Sequence, residues 1–589
     1  MIFNGWRLKK ARCRRSPNAT IKSPGAYVQN GSPHTDASET SIGADVKKVK
    51  RAKNTPAPAE SPSVIAVIGD GALTGGMAYE ALSCAPHLGL PLIIVLNDNR
   101  MSISPNVGGL SRHLSRLSMR TRYQTFRTAF DSMTLKIPFV GKSVFNVVQR
   151  LKRAVKAVFY QDNFFVELGF EYVGPIDGHN LKELTETFAD VRKQTAVQRR
   201  LSSPVVVHVI TQKGKGYPPA ESEPDIFHGV PPFSPEDGTV PAGGESWTRI
   251  FGDALIEAAR KDSRVCAITA AMEKGTGLSA FHAEFPARFF DVGIAEAHAV
   301  TFAAALAARG LRPVAAIYST FLQRAVDSVI HDTAPAGLPV IFAVDRAGFV
   351  AGDGETHQGL FDISILRSVP GMVIMEPAFA GELPLMLNWA LARNRPCAIR
   401  YPKAPPPSTE NIAEAIPTLT EGRGVLFEFM GGEVSPLATA ALTARLPLPP
   451  SPRGLCPLKP PSVLLAFTGS LYDEALKAAW TLADEGIFCA LYNFRFLAPI
   501  DEDYLLGLLR DYELVVVAEE GAQNGGIGEC VLALAARGGI GGKLITLNAG
   551  NAYYAQGTRQ ELLRRAGLDA EAIAAAVRSN AGAFSVSLN

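Results

Sequence analysis

Apolar runs of strand length alternate with helix-length stretches over most of this chain. Val64 to Ile68 reads as a buried strand that stops at Gly69-Asp70-Gly71, a helix is expected from Gly76 through Ala81, and Leu90 to Leu96 reads as a second buried strand ending in Asn97-Asp98-Asn99. Further buried strands are expected at Val205–Ile210, at Val265–Ile268, Pro313–Ile317, Val340–Val344 and Met372–Met375, and at Val463–Phe467. A basic stretch near Val144–Phe159 reads as helical. Uniformly apolar strands separated by helix-length intervals predict parallel sheets, an α/β fold.

Interruptions of this pattern mark the domains. Residues 1–60 lack apolar periodicity and end in Thr55-Pro56-Ala57-Pro58-Ala59, a linker composition, so they are expected to be disordered. A first α/β region at 61–235 is separated by the polar Pro/Gly stretch Pro231–Glu245 from a second at 246–415. A Pro-rich linker or insertion at 416–462 precedes a third region at 463–589.

Composition narrows the function classes. Of 589 residues, 20% are charged and the formal net charge is +3, so nothing calls for a nucleic-acid or anionic-membrane partner. No apolar run approaches the roughly 20 residues of a spanning helix, which makes a soluble protein acting on small molecules the expectation. The 7 cysteines are scattered singly, without Cys-x-x-Cys spacing, which argues against zinc sites and disulfides and for a reducing cytoplasm. The first 35 residues hold Arg7, Lys9, Lys10, Arg12, Arg14, Arg15 and Lys22 and no acid. That composition also occurs in organelle transit peptides, the alternative localisation.

The first chemistry lies at the strand ends. In a right-handed βαβ unit the carboxyl ends of parallel strands border one crevice, so Asp70 and Asn99 should face the same cavity. An Asp and an Asn there suit Mg²⁺ bound to a diphosphate, with Gly71 letting backbone amides approach the phosphates. Gly-Asp-Gly by itself is equally a tight strand-to-helix turn.

Together with the Asn-Asp-Asn that follows, it resembles the thiamine diphosphate fingerprint. Ile68-Gly69-Asp70-Gly71-Ala72-Leu73-Thr74-Gly75-Gly76-Met77-Ala78-Tyr79-Glu80-Ala81-Leu82 and Leu96-Asn97-Asp98-Asn99-Arg100-Met101-Ser102-Ile103-Ser104 resemble the 1-deoxy-D-xylulose-5-phosphate synthases, transketolase-like enzymes, with the likeness running from Val64 to Val577. The resemblance implies three parallel-sheet domains of the transketolase type, the first of them incomplete. It implies thiamine diphosphate and Mg²⁺ as cofactors and a homodimer. The implied activity is condensation of pyruvate with D-glyceraldehyde 3-phosphate, with loss of CO2, to 1-deoxy-D-xylulose 5-phosphate, a precursor for isoprenoids, thiamine and pyridoxal.

Site residues follow by the same resemblance. Asp70, Asn99 and Met101 would hold the metal; Gly71, Ala72, Asn99 and Tyr217 would contact the cofactor. In Asp291-Val292-Gly293-Ile294-Ala295-Glu296, Glu296 would share a proton with the cofactor's aminopyrimidine; its plain reading is a helix-start glutamate favoured by the dipole. In Tyr318-Ser319-Thr320-Phe321-Leu322-Gln323-Arg324, Phe321 would pack on the cofactor ring, or be plain core, while Tyr318 and Arg324 face substrate. Arg346 and Arg400, each at the end of an apolar strand, suit bidentate recognition of the substrate phosphate, and Asp353 joins them. His228 and His357 are candidates for moving protons, although a lone histidine is more often structural. Gly174-Pro175-Ile176-Asp177-Gly178-His179 reads as a structural turn. Glu519-Glu520-Gly521 and Gly525-Gly526-Ile527-Gly528 in the third region suggest a structural or dimer-contact role.

Two departures stand out. Ala297 occupies a position where the family usually has Gln, and upstream of Val64 only Thr40-Ser41-Ile42 remains of a Gly-His-Ser-Ser-Thr-Ser-Ile ending, with Asp36 and Ala37 in place of the glycine and histidine and His34 out of register. A truncated, catalytically impaired homologue and another two-carbon transferase of the transketolase type are therefore the alternatives, and weak cofactor binding with little or no synthase activity is expected of the chain as written.

Overall fold

The computed structural model describes residues 64–89, 92–101, 108–119, 163–197, 203–230, 232–241, 244–407, 418–428, 445–447 and 461–581. The expectations for residues 1–60, for Val144–Phe159 and for most of the Met430–Pro461 interruption lie outside these residues.

The first sheet comprises β1 (Val64–Gly69), β2 (Leu92–Asp98), β3 (Glu171–Asp177) and β4 (Val205–Ile210) in the order β1-β2-β4-β3. Every pair is parallel, as expected for strands rich in Val and Ile that are joined by helical crossovers. Register sets Gly69 beside Asn97, and Asp98 and Asp177 both beside Ile210. One edge therefore carries Asp70, the Asn97–Asn99 stretch, Gly178 and Thr211. The helix after β1 runs from Gly76 to Leu88, further than Ala81, and ends at Gly89 with φ +59°. On β1, Val64, Ile65 and Val67 are about half exposed, so the outer strand shows an apolar face among the described residues.

The second sheet takes β5 (Val265–Thr269), β6 (Phe289–Asp291), β7 (Arg312–Tyr318), β8 (Ile341–Asp345), β9 (Val373–Met375) and β10 (Cys397–Tyr401), all mutually parallel. Register brings Tyr318 and Tyr401 to either side of Asp345, so the chain exits at Ser319, Arg346 and Pro402 share one edge.

The third sheet contains β11 (Val425–Glu428), β12 (Arg445–Pro447), β13 (Val463–Thr468), β14 (Cys489–Phe494), β16 (Leu514–Ala518) and β17 (Lys543–Leu547) in the order β12-β11-β14-β13-β16-β17. Residues 416–462, expected as a Pro-rich linker or insertion, contribute strands to this sheet: β11 pairs antiparallel with β14 and β12 extends that edge. Their apolar runs are too short, and too closely flanked by Pro and Gly, to register as strands before the neighbouring sheet is known. β15 (Phe496–Ala498) leaves the third region altogether and pairs antiparallel with β9 at the edge of the second sheet. A single apolar cluster accordingly contains Ile317, Phe342 and Ala398 together with Leu464, Tyr492 and Val517.

Candidate active site

At the edge of the first sheet the chain turns out of β1 with the Asp70 amide donating to the Asn97 carbonyl at 3.1 Å. The Asp70 side chain is buried, and its carboxyl shares a hydrogen bond with that of Asp98. Asp98 lies 2.9 Å from His208 Nε2, and Tyr172 meets His208 Nδ1 at 2.6 Å, so four buried polar groups form one chain. Burial, then the like charge of Asp98, pushes the Asp70 carboxyl up to about 7. Asp98 goes the other way: burial would raise it, but the hydrogen bond and charge of His208 hold it below the usual carboxylate value.

The exit from β2 is folded by its own side chains. Asp98 Oδ1 accepts from the Arg100 amide at 3.1 Å and Asn99 Oδ1 from the Met101 amide at 3.0 Å, with Arg100 in the left-handed region at φ 61°. Asn99 and Met101 thus lie in one tight bend close to Asp70. Among the described residues no group of three His, Cys, Asp or Glu side chains gathers to hold a metal. The bend offers hard oxygen donors few in number, a set that fits a cation completing its shell with phosphate and water.

Thr74 joins this turn to the second domain. Its hydroxyl donates to the Gly71 carbonyl at 2.7 Å and accepts from the Ile294 amide at 3.3 Å. Just beyond Ile294 begins the helix Glu296–Ala308, and Glu296 is 3% exposed, with Arg324 Nη1 3.2 Å from its carboxylate. Burial raises the Glu296 pKa and Arg324 partly offsets it. Ala297 sits on the exposed face of this helix, so that departure from the family pattern leaves the setting of Glu296 intact.

The loop after β4 is held from two sides. His179 Nε2 accepts from the Gln212 amide at 2.9 Å, in keeping with a structural role for the Gly174–His179 turn. Tyr217 packs at 5.6 Å from Phe227 and 5.9 Å from Phe233, and its hydroxyl donates to the Pro235 carbonyl at 3.0 Å. Between these anchors Lys213 Nζ reaches His228 Nδ1 at 2.7 Å. Burial and the neighbouring ammonium push the His228 imidazole down to about 4, so near neutral pH the ring is uncharged and Nδ1 accepts from Lys213. Burial also lowers the Lys213 pKa, against the charges of Asp225 and Asp70. This contact of Lys213 with His228 is one that sequence reasoning missed.

On the second-domain side a cleft of about 550 Å³ is lined by Phe321, Arg324, Glu355, Thr356, Phe361 and Tyr553 among others. Phe321 is mostly buried, stacked at 5.5 Å on Tyr318 and edge-on to His357 at 5.8 Å, so it is both core and cleft wall. Arg346, at φ 59°, lays its guanidinium 3.6 Å over the Tyr318 ring and donates to the Gly275 carbonyl at 2.8 Å. His357 is half-buried, lowered in pKa by burial, and 3.0 Å from the Thr356 hydroxyl.

Arg400, expected to face the substrate phosphate, turns inward. It is 1% exposed and fully engaged: Nε donates to Asp362 at 3.0 Å, Nη1 pairs with Glu376, and Nη2 donates to the Glu520 carbonyl at 3.2 Å. A strand-end arginine looks the same in sequence whether it turns outward or inward. Lys403, just beyond it, keeps a side chain 45% exposed with Nζ 3.0 Å from Asp353.

Three family profiles match most of the chain. Residues 31–211 match the family profile described as 1-deoxy-D-xylulose-5-phosphate synthase, 244–407 the transketolase pyrimidine binding domain, and 459–573 the transketolase C-terminal domain. The first match begins upstream of Val64. The 1-deoxy-D-xylulose-5-phosphate synthase of Treponema pallidum is 46% identical over 518 residues, covering 88% of this chain and 76% of that protein. Synthase 2 of Geobacter sulfurreducens is 44% identical over 520 residues (88% and 77%), and the Syntrophus aciditrophicus synthase 40% identical over 564 residues (95% and 80%). A solved split-gene transketolase, described as an inactive beta4 tetramer, aligns with a TM-score of 0.47 at 26% identity, over 57% of this chain and 98% of that one.

Proposed function

Because the chain belongs to the 1-deoxy-D-xylulose-5-phosphate synthase family of transketolase-type transferases, we propose that it condenses pyruvate with D-glyceraldehyde 3-phosphate in the cleft between the Asp70 turn and the Glu296 helix. Thiamine diphosphate, when bound, supplies the electron sink that decarboxylation of pyruvate requires. Asp70, Asn99 and Met101 would hold Mg²⁺, with the backbone at Gly71 and Ala72 against the diphosphate. Support comes from the buried carboxyl and the all-oxygen bend beside it.

Glu296, buried and raised in pKa, retains a proton more readily than an exposed glutamate and can share it with a ring nitrogen. His228 is uncharged and beside the Lys213 ammonium, so the pair combines a neutral imidazole with a positive charge suited to a carboxylate. His357, lowered in pKa by burial, is uncharged near neutral pH and can donate a hydrogen bond toward the new alkoxide as it takes up a proton. Arg346 and Lys403 provide charge for the aldehyde phosphate, with Tyr318 and Asp353 fixing their positions. Arg324 is placed to orient Glu296 and to border the substrate space.

The observation that carries this reading is the Thr74 to Ile294 bond, which sets the Asp70 turn and the Glu296 helix against each other within one chain. Homodimeric assembly belongs to the same proposal on the family resemblance alone, and action in the cytoplasm is supported by the bacterial relatives. No described helix is long and apolar enough to cross a membrane.

The test incubates the full chain with carbon-13-labelled pyruvate, D-glyceraldehyde 3-phosphate, thiamine diphosphate and Mg²⁺ and follows products by NMR. Labelled 1-deoxy-D-xylulose 5-phosphate with release of CO2 is expected. Cleavage of a ketose phosphate donor in the absence of any pyruvate decarboxylation would overturn it in favour of a two-carbon ketol transferase.

A further inference from the structure

The loop from Gly348 to Leu360 carries Asp353 and His357, yet its footing is in the third domain. Its neck closes on itself, with Gly348 and Gly359 exchanging two backbone hydrogen bonds of 2.8 Å. At the outgoing end Phe349 donates its amide to Glu520 Oε1 at 2.5 Å, and at the returning end the Leu360 carbonyl accepts from the Ala522 amide at 2.8 Å. Midway, the Gly352 amide donates to the Gly557 carbonyl at 3.2 Å. Phe349 packs edge-on to Tyr554 at 4.9 Å, and Phe349 and Leu360 both belong to the apolar cluster that contains Val463, Leu491 and Leu562 of the third domain.

Glu520 is the fixed point of this arrangement. It is wholly buried, and Arg559 clamps both carboxylate oxygens at 2.6 Å while also donating to the Ser470 carbonyl at 3.2 Å. Gly348, at φ 73°, passes so close that a Cβ there would lie 2.5 Å from the Glu520 carboxyl. A buried carboxylate held by a two-toothed guanidinium has little freedom, so the amide it accepts is fixed with it.

We infer that Glu520, held by Arg559, is a positioning residue for the condensation: it sets the loop bearing Asp353 and His357 and so the acceptor side of the cleft, without touching substrate. The third domain thereby contributes to the active site. The inference rests on the proposed function for its substrates and on the hydrogen bonds alone for the loop.

The experiment compares two charge-free replacements of the pair in the full chain. Glu520→Gln with Arg559→Met removes the ion pair but keeps an oxygen for the Phe349 amide; Glu520→Leu with Arg559→Met removes the oxygen as well. Neither leaves an unpaired buried charge. The Leu variant should raise KM for D-glyceraldehyde 3-phosphate by about tenfold or more, since small displacements at a reacting site are costly. KM for pyruvate and the affinity for thiamine diphosphate should stay within about twofold of the wild type. Hydrogen exchange should show lost protection at residues 349–358, and the Gln variant should restore both readouts.

Equal kinetics in the two variants, or equal rises in KM for both substrates, would overturn the inference. Should the Leu variant fail to fold, Arg559→Lys, which keeps the charge but not the double clamp, is read by the same split and the same outcomes. Hydrogen exchange reports the loop without turnover, so a wild type that made no product while the Leu variant lost loop protection would count against the proposed function and not against the anchoring.

Discussion

Arg400 and Lys403 leave the same strand and meet opposite surroundings, which makes them the sharpest pair for mutation. Arg400→Ala should cost roughly 3–5 kcal/mol, because Asp362 and Glu376 would be left buried without their counter-charge. Its effect would appear as a lowered Tm in thermal unfolding. Lys403→Ala should leave Tm nearly unchanged, whereas Arg346→Ala also strips buried Asp345 of its paired guanidinium and should lower Tm. Both should raise KM for the aldehyde phosphate more than that for pyruvate, each lost charged contact being worth roughly 1.5–3 kcal/mol. Equal effects on both substrates in steady-state kinetics would argue against a phosphate site there. Asp70→Ala and Asn99→Ala should each weaken Mg²⁺-dependent binding of thiamine diphosphate in isothermal titration, since each deletes an oxygen from a geometrically demanding shell. Glu296→Gln should abolish exchange of the cofactor C2 proton while the chain stays folded; wild-type exchange in that variant would remove Glu296 from the role. Asp70, Asn99, Glu296, Tyr318 and Phe321 could be singled out in the sequence because each lies in a contiguous motif. Lys403, Lys213 and the Asp98–His208–Tyr172 chain could not, since their significance comes from neighbours supplied by other strands.

The element that begins after Gly526 shows why glycines gather in the third domain. Glu519 reaches under the helix Ile527–Arg537 and accepts from the Ile527 and Gly528 amides at 2.7 and 3.0 Å, answering donors that a helix start leaves open. A Cβ at Gly526 would lie 2.4 Å from its carboxyl oxygens. Burial pushes this carboxyl up to about 7 from an ordinary 4.5. Between those values the folded chain holds a proton that the unfolded chain has released. The stabilisation is therefore complete below pH 4.5 and is lost as pH rises through 7, by an amount on the order of 3 kcal/mol. Glu519→Gln, which cannot ionise, should flatten that part of the stability curve measured by urea unfolding at successive pH values. An unchanged slope would show that Glu519 does not titrate there. At this scale strands such as β2, β4, β7, β8 and β13 were readable because they are long and apolar, while β3, β6, β14, β16 and β17 were not named from the sequence. β11, β12 and β15 were not, because three or four residues beside Pro or Gly acquire strand character only from the sheet edge they join.

For the whole molecule, little or no turnover remains the expectation: Asp36 and Ala37 stand where resembling enzymes have glycine and histidine. A steady-state assay of the full chain should fall below the usual range of about 1–10³ s⁻¹, and Asp36→Gly with Ala37→His should raise the rate; wild-type turnover inside that range would remove the expectation. A different consequence follows from β15, the short strand that the third domain lends to the second sheet. Neither sheet can come apart alone without breaking pairings that belong to the other, and the buried Arg495–Glu382 pair at 2.5 Å ties the same two regions. Calorimetry should therefore register the second and third domains as one cooperative melting unit. A chain nicked between Pro407 and Thr418 should run as an undivided particle until denaturant is added, two polypeptides behaving as a single folded body.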